Sequence, residues 1–152
     1  MTETREGIFW DVVAGKLPSP AVLTLLDWRV LSAEPGCVRA SFQGKPEFYN
    51  PIGFVQGGIL AAMLDGVMGC AAVSLLAPDE SITTLDMNTS YMRSVRDVTL
   101  IGEGRVVHRG GATVFMAGTL ATENGELVAT ATATGRVVRV PANDERGQEE
   151  RE

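Results

Sequence analysis

Residues 57–77 constrain the fold more than any other part of the chain. Their sequence, GGILAAMLDGVMGCAAVSLLA, is apolar or small almost throughout, and Asp65 near the middle is the only charged residue in it. Because Pro78 follows, the pattern predicts one helix of about 20 residues that this proline ends. A helix that is apolar on every side must also be covered on every side, so the other segments have to wrap around it.

This helix must also be considered as a membrane span, since about 20 apolar residues suffice to cross a bilayer. However, a carboxylate at mid-span would cost roughly 2.5–3.5 kcal/mol even on insertion scales. The residues next to the segment carry no basic anchor, and Pro78 is followed by two acidic residues. We therefore expect a helix buried in a protein core, and no membrane partner.

Strand-like segments lie on both sides of the predicted helix. Two precede it, a first strand near residues 28–32 and CVRASFQ (37–43), and residues 44–56 predict a loop. Four follow it: ITTLDMNTSYM (82–92), VTLIGEGRVVHR (98–109), ATVFMAGTLATE (112–123) and ELVATATATGRVVRV (126–140). In the first of these four, alternation places Leu85, Met87, Thr89 and Tyr91 on one face.

This order of elements predicts an α+β fold. Strands before and after a single helix do not follow the alternating pattern of βαβ units, and the last three strands can form a meander. A curved antiparallel sheet would cover most of the helix, and a second subunit could complete the cover. Residues 1–27 predict a helical or irregular arm. We expect residues 1–140 to form a single domain and the charged segment 141–152 to be a disordered tail.

Composition and charge narrow the classes of partner. The net charge of −6 and the isoelectric point near 4.8 argue against general affinity for nucleic acid.

The two cysteines, Cys37 and Cys70, have neither a metal-type spacing nor a disulfide framework. His108 is the only histidine, so we expect it at the surface or in strand pairing, and we expect no metal. Because the N-terminus lacks the regions of a signal peptide, we expect a cytoplasmic protein.

Asp65 could have a structural or a functional role. An aspartate in a helix interior can be a satisfied structural acid, bonded to a backbone amide or to an arginine. The helix start favours a functional role, because its first amides have no partner within the helix and carry the positive end of its dipole. They would stabilise a carbonyl oxygen that gains negative charge. Gly57 and Gly58 would let a ligand approach closely, although they could instead only permit tight packing.

The spacing between Asp65 and the helix start points to more than one subunit. Asp65 lies eight residues after Gly57, which is roughly 12 Å along a helix that rises about 1.5 Å per residue. An aspartate side chain does not easily span that distance. An antiparallel helix from a second subunit could bring its own Asp65 to a ligand at Gly57. If the two residues cooperate, the site is composite and the active unit is a dimer.

The segment NPIGFVQGGILAAMLDGVMGCA resembles the central motif of the hotdog-fold acyl-CoA thioesterases of the phenylacetate-pathway (PaaI-like) type and of the related human type. TTLDMNTSYMRSV resembles the next strand of that family, and GELVATATATGRV resembles its closing strand. The likeness covers about residues 20–140. It implies a hotdog fold, in which a curved antiparallel sheet wraps around one long central helix, and it implies a homodimer at minimum and a homotetramer as the full assembly.

The resemblance also implies roles for individual residues. Asn50, Gly57, Asp65 and Thr84 fall on functional positions of the family. The Gly57 N–H would polarise the thioester carbonyl, and Asp65 of the partner subunit would be the nucleophile or the general base for water. Thr84 would hold the aspartate or the water, and Asn50 would help to position the reacting groups. Gln56 stands where the family usually has histidine; it keeps an N–H donor but cannot titrate.

Further residues are candidates for binding the substrate. Arg93 or Arg109 could meet the phosphates of coenzyme A at a pocket mouth, although both could equally lie on solvated strand faces. Met68 could line an acyl pocket or belong to the core. Phe54 could cap such a pocket or anchor its own loop, and Gly58 would admit a substrate atom close to the helix backbone.

The function that follows from these expectations is hydrolysis of an acyl-CoA, with an aryl or medium-chain acyl group, to a free acid and coenzyme A. Coenzyme A enters as part of the substrate, and no other cofactor is expected. Two alternatives stay open. A non-catalytic protein that binds acyl-CoA or another ligand would suit Gln56. A hotdog hydratase or dehydratase is less favoured, since related enzymes place a catalytic histidine near the helix start.

Overall fold

A six-stranded antiparallel sheet packs against one long helix in the structure, a computed structural model that describes residues 5–140. In chain order the elements are α1 (Ile8–Val13), α2 (Ala21–Leu25), β1 (Arg29–Glu34), β2 (Cys37–Gly44), α3 (Gly57–Val73), β3 (Glu80–Tyr91), β4 (Val98–Gly110), β5 (Thr113–Thr122) and β6 (Leu127–Arg139). A short 3₁₀ helix, Pro46–Phe48, interrupts the loop before α3. The predicted α+β fold class is confirmed. The tail predicted over 141–152 lies outside the described residues.

The strands follow the order β1-β2-β4-β5-β6-β3 across the sheet. β4, β5 and β6 are neighbours in sequence and in space, which confirms the predicted meander. β3 follows α3 directly and returns to pair with β6. β1 and β3 are therefore the two edge strands, and within the described part of the chain the outer side of β3 has no strand partner.

One face of α3 lies at the centre of the hydrophobic core. Its buried residues recur every three or four positions, as one stripe of a helix requires: Leu60, Met63, Leu64, Val67, Met68, Ala71 and Ala72. The opposite face carries Asp65, Gly66, Gly69 and Cys70 and is only partly buried. The sheet therefore covers one face of α3, and other segments must cover the opposite face.

α3 is shorter than the helix that the sequence predicts. It has 17 residues and ends at Val73, well before Pro78. Ser74 caps this end: its hydroxyl donates to the Ala71 carbonyl oxygen at 2.6 Å and accepts the Gly36 N–H at 2.8 Å. A buried serine bonded to the β1–β2 turn, and not the proline, thus sets the end of the helix. Across residues 5–140, no helix combines the length and the hydropathy that a bilayer crossing requires.

The N-terminal arm packs on the partly buried face of α3. Phe9 and Trp10 are buried and meet edge to face, with ring centroids 5.0 Å apart. The Trp10 indole N–H donates to the Ser74 carbonyl oxygen at 3.2 Å. In α2, Leu23 lies so close to Gly66 that a Cβ on the glycine would be only 2.7 Å from a Leu23 methyl group. The predicted helical arm is confirmed, and it forms part of the core.

At Gly104 and Gly118, β4 and β5 approach α3 so closely that an added side chain would overlap with it. A Cβ added to Gly104 in β4 would lie 2.7 Å from the Met68 amide nitrogen and closer still to the Val67 carbonyl group. A Cβ added to Gly118 in β5 would lie 2.8 Å from the Met68 side chain. Packed interiors cannot absorb such overlaps without movement, so glycine is required at position 104, where the backbone is met, whereas a side chain at position 118 would displace the Met68 side chain.

We expect Gly104→Ala to destabilise the fold by about 1–3 kcal/mol, the usual cost of overpacking, because the atoms that it meets belong to the helix backbone. Gly69→Ala is the matched control: its Cβ would meet no atom within 4 Å, and alanine favours a helix over glycine by about 1 kcal/mol. Urea denaturation followed by circular dichroism measures both free energies of unfolding. Equal stability of the two variants would contradict the close backbone contact.

Candidate active site

The start of α3 leaves two amide groups free. Gln56 is the N-cap, and its side-chain oxygen accepts the Ile59 N–H at 3.2 Å. Within residues 5–140, the N–H groups of Gly57 and Gly58 donate to no acceptor. Because α3 spans 17 residues, these two amides carry the positive end of its macrodipole. They suit an oxygen atom that carries negative charge.

Packing also explains the two glycines. A Cβ on Gly57 would lie 3.3 Å from the ring of Tyr91, whose hydroxyl donates to the Gly57 carbonyl oxygen at 2.8 Å. A Cβ on Gly58 would lie 2.7 Å from the capping oxygen of Gln56. Tight packing and close approach of a ligand are therefore compatible explanations. The Tyr91 hydroxyl fixes the start of α3 to the end of β3.

Asp65 and Thr84 are brought together. The Thr84 hydroxyl donates to Asp65 Oδ1 at 2.7 Å. No other group in the described range donates to this carboxylate, and Asp65 is only partly buried. A single hydrogen bond holds one oxygen of the carboxylate and leaves the other free to accept a proton or to attack.

A β-bulge in β3 makes this hydrogen bond possible. Thr84 pairs with Gly135 and Met87 pairs with Ala133, and both partners lie on the buried face of β6. In a regular strand, positions 84 and 87 would point to opposite faces. The register shift after Thr84 places both on the helix side. The predicted face is therefore wrong at Leu85, which is 62% exposed.

A cavity of about 530 Å³ lies beside Asp65. The N-terminal arm, the partly buried face of α3 and the start of β3 border it on three sides, and its size falls within the range of small-molecule sites. Its lining includes Phe9, Leu23, Gly66, Gly69, Cys70 and Ile82. The carboxylate of Asp65 thus stands between a hydroxyl donor and a largely apolar space.

Asn50 organises the loop that leads into α3. Its side-chain oxygen accepts the N–H groups of Ile52 and Phe54, both at 3.1 Å, and the backbone N–H of Asn50 donates to the Phe54 carbonyl oxygen at 2.7 Å. This is the local turn chemistry for which asparagine is suited. The side-chain NH₂ group of Asn50 makes no hydrogen bond to the described residues, so it is available as a donor.

Arg93 and Arg109, the predicted phosphate contacts, form ion pairs within the chain. Arg93 lies 3.4 Å from Glu126, and Arg109 lies 3.7 Å from Glu80. All four side chains keep part of their surface in solvent. The geometry is compatible with both interpretations of the sequence, a solvated face and a phosphate contact.

Met68 and Phe54 lie outside the lining of the cavity. Met68 is fully buried next to Gly118 and fills the core between α3 and β5. Phe54 lies beneath Arg96, whose guanidinium carbon is 4.2 Å from the ring centroid. Core packing and loop anchoring, the alternative roles of these two residues, fit their positions.

Sequence alone does not show that the arm and Tyr91 border the site. The apolar residues Ile8, Phe9 and Val12 predict a helix, and a helix this short with so many apolar residues needs a surface to cover. This requirement is the one indication in the sequence that the arm packs against the rest of the domain. For Tyr91 the alternation of β3 predicts the face but not the hydrogen bond to α3.

A sequence profile described as the thioesterase superfamily matches residues 52–129. A phenylacetic acid degradation-related protein from Ralstonia eutropha JMP134, which bears a provisional thioesterase name, is 35% identical, with a TM-score of 0.80 over 84% of this chain and 98% of its own. The protein smu.793 from Streptococcus mutans UA159, solved bound to acetyl CoA, is 27% identical, with a TM-score of 0.69 over 76% of this chain and 91% of its own.

Two curated relatives come from Mycobacterium tuberculosis, strains CDC 1551 / Oshkosh and ATCC 25618 / H37Rv, and carry provisional esterase names. Each is 28% identical over 79 residues, which is 50% of this chain and 56% of the relative. The matched region therefore spans about half the length of these relatives.

We expect Cys37 to react with iodoacetamide at about pH 8 much faster than Cys70, because the thiolate is the nucleophile. Cys37 is exposed, whereas burial raises the pKa of the Cys70 thiol to about 12. As pH rises, alkylation of Cys70 should accelerate only towards its raised pKa. Peptide mapping by mass spectrometry measures both rates. In the denatured chain, the control, the two rates should converge; equal rates in the folded chain would contradict the burial of Cys70.

Proposed function

The chain belongs to the thioesterase superfamily, and from this membership we propose that it hydrolyses the thioester of an acyl-CoA to a carboxylic acid and coenzyme A. The family and the hotdog fold that the sequence predicts are confirmed. The Streptococcus mutans relative bound to acetyl CoA supports coenzyme A thioesters as the ligand class. The observation in this chain that carries the proposal is the hydrogen bond between Thr84 and Asp65 beside a cavity.

Asp65 supplies the attacking or activating group. The Thr84 hydroxyl orients the carboxylate through Oδ1 and leaves Oδ2 to act. As a general base, Oδ2 takes a proton from water while the water oxygen bonds to the thioester carbon. As a nucleophile, Oδ2 bonds to that carbon itself, and water then hydrolyses the resulting anhydride. In both routes the C–S bond breaks, and the coenzyme A thiolate that leaves takes up the proton released by the water that is consumed.

The start of α3 stabilises the oxygen of the substrate carbonyl. The free Gly57 N–H donates to this oxygen as it gains negative charge, and Gly58 leaves room for it. The Gln56 oxygen caps α3, so only its NH₂ group can face a ligand, and Gln56 acts as a hydrogen-bond donor and not as an acid. The free side-chain NH₂ group of Asn50 helps to position the water or the thioester.

The amide and the carboxylate of one site come from different protomers. Thr84 contacts Asp65 and Tyr91 contacts Gly57, so β3 runs antiparallel to α3 and its ends mark the two chemical groups. Within one protomer, Gly57 and Asp65 are separated by roughly 12 Å of helix. We therefore assign each complete site to a homodimer, which holds two such sites.

The open edge of β3 suits this dimer. β3 has 12 residues, pairs with β6 on one side and has no strand on the other side within the described range. A long open edge tends to pair with another strand. If two copies of β3 pair antiparallel about an axis near Asn88, midway between Thr84 and Tyr91, Thr84 lies level with the partner's Tyr91. The partner's Asp65 then lies level with Gly57.

Three further parts of the proposal concern the substrate and the assembly. A surface ion pair contributes only about 0–1 kcal/mol, so a phosphate of coenzyme A can displace Glu126 from Arg93 or Glu80 from Arg109. The preference for aryl or medium-chain acyl groups and the pairing of two dimers into a tetramer follow from the family resemblance. The cytoplasmic location and the absence of a metal or other cofactor stay predictions from the sequence.

We expect Asp65→Asn to lower thiol release from acyl-CoA by roughly 10²–10⁴-fold, since it removes the base or nucleophile. Thr84→Val should lower thiol release by roughly 10–100-fold, the usual value of a hydrogen bond to a charged group. Thr83→Val, an exposed neighbour on the same strand, should leave it unchanged. A thiol reagent and a panel of acyl-CoAs provide the assay.

Full activity of Asp65→Asn would refute the assigned role. Binding of acyl-CoA by the native protein without thiol release would favour the ligand-binding alternative. Hydration of an enoyl-CoA without thiol release would favour the hydratase.

We expect Asn88→Cys, in a chain that also carries Cys37→Ser, to form an intermolecular disulfide on mild oxidation. Opposite residues of an antiparallel pair have Cα atoms about 4.5–5.5 Å apart, within the reach of a disulfide. Glu123→Cys, in the exposed turn between β5 and β6, is the matched control and should not cross-link. Non-reducing electrophoresis reports the disulfide, and sedimentation velocity reports the assembly. A dimer in which only the control cross-links would rule out pairing through β3.

A further inference from the structure

The N-terminal arm forms one wall of the cavity beside Asp65. Phe9 and Val12 of α1 and Leu23 of α2 line this wall, and Ile82 at the start of β3 lines another. The arm is therefore more than a cover for α3, because it leaves space between its apolar side chains and the helix. That space is continuous with the carboxylate to which the proposed function assigns the chemistry.

The charges around the cavity decide which part of an acyl-CoA could enter it. Asp65 and Glu80 line the cavity, and no basic residue does so within the described range. Glu80 is paired with Arg109, but the Asp65 carboxylate has no ion-pair partner among the described residues and repels the phosphates of coenzyme A, whereas the apolar walls favour a hydrocarbon chain. The acyl end of the substrate, and not the coenzyme end, fits this space.

Two glycines of α3 shape the cavity in different ways. A Cβ on Gly66 would lie 2.7 Å from a Leu23 methyl group, so this glycine lets α2 pack against the helix. A Cβ on Gly69 would meet no atom within 4 Å, so this glycine leaves space open. Gly69 lies four residues after Asp65, on the same face of α3 and one turn further along. A chain that extends along α3 from a carbon at Asp65 passes over Gly69.

We propose that the arm cavity binds the acyl group of the substrate, that Gly69 sets the length of acyl group that fits, and that Val12 contacts the longer acyl chains. This inference rests on the proposed function and adds the location of the acyl group to it. The volume of about 530 Å³ is several times the roughly 150 Å³ that suffices for benzene. An aryl or a medium-chain acyl group therefore fits in the cavity with its carbonyl at Asp65.

Non-hydrolysable S-alkyl-CoA thioethers of increasing length test the cavity separately from the chemistry. With the native protein, calorimetry should show the Kd falling about fourfold for each methylene that enters, equivalent to about 0.8 kcal/mol. In Gly69→Leu this fall should stop at a shorter chain, and longer thioethers should bind about tenfold or more weakly than to the native protein. The same dependence on length in both proteins overturns the proposal.

Val12→Ala and Val13→Ala are a matched pair that decides the question if Gly69→Leu does not fold. Val12 lines the cavity, whereas Val13 is 40% exposed and lies outside it. Val12→Ala should weaken binding of the longer thioethers by about three- to tenfold, without affecting the shortest one. Val13→Ala should match the native protein at every length, and equal effects of the two substitutions overturn the proposal.

Thiol release from acyl-CoAs of the same lengths distinguishes this proposal from the proposed function. If the native protein binds thioethers with the expected dependence on length but releases no thiol, hydrolysis is refuted and the acyl cavity stands. If it releases thiol but Gly69→Leu and Val12→Ala leave the preferred length unchanged, hydrolysis stands and the acyl cavity is refuted.

Discussion

The packing of the sheet against α3 depends on close contacts between the helix and two glycines of the sheet. Because Gly104 and Gly118 have no side chains, β4 and β5 lie directly on Val67 and Met68, which fixes the depth of the helix in the sheet. That depth also determines which side of α3 faces away from the strands. Asp65 lies on that side, beside β3 and the arm, so the packing of the core positions the one charge of the helix.

β3 connects the packing of α3 to the chemistry in two places. Tyr91 holds the start of the helix, and the bulge after Thr84 turns a hydroxyl towards Asp65. A strand without the bulge would present Thr84 to the opposite face of the sheet. The irregularity therefore belongs to the site, in keeping with the tendency of bulges to re-aim side chains next to active sites. The same strand offers the open edge through which we propose that two protomers share their groups.

Most of the fold can be predicted from the sequence, because it follows from strong local patterns. The apolar run over 57–77 indicates α3, and the turn at Gly125 together with the alternation around it indicates the β5–β6 hairpin. The end of α3 is not predictable in this way, since it depends on a long-range hydrogen bond between Ser74 and Gly36. The face of Thr84 is not predictable either, because alternation assumes a regular strand.

The candidate site likewise contains residues that local sequence patterns predict and contacts that they do not. Asp65 stands out in the sequence because a lone carboxylate in an apolar helix is costly without a reason, and family resemblance adds Thr84, Gly57 and Asn50. The capping bond of Gln56 and the ion pair of Arg93 depend on which side chains meet in three dimensions. The cavity depends on the arm folding back on α3, a contact between segments far apart in the chain. Local sequence patterns carry no information on such contacts.

The attachment of the arm has an evolutionary consequence. α1 is joined to the rest of the chain by buried aromatic rings and one indole hydrogen bond, and within residues 5–140 no strand of the sheet pairs with it. Substitutions in the arm that keep its buried residues packed can therefore accumulate without disturbing strand registers, the bulge or the helix start. A lineage could therefore change the lining of the cavity by varying the N-terminal arm alone, while the contact between Thr84 and Asp65 is inherited intact.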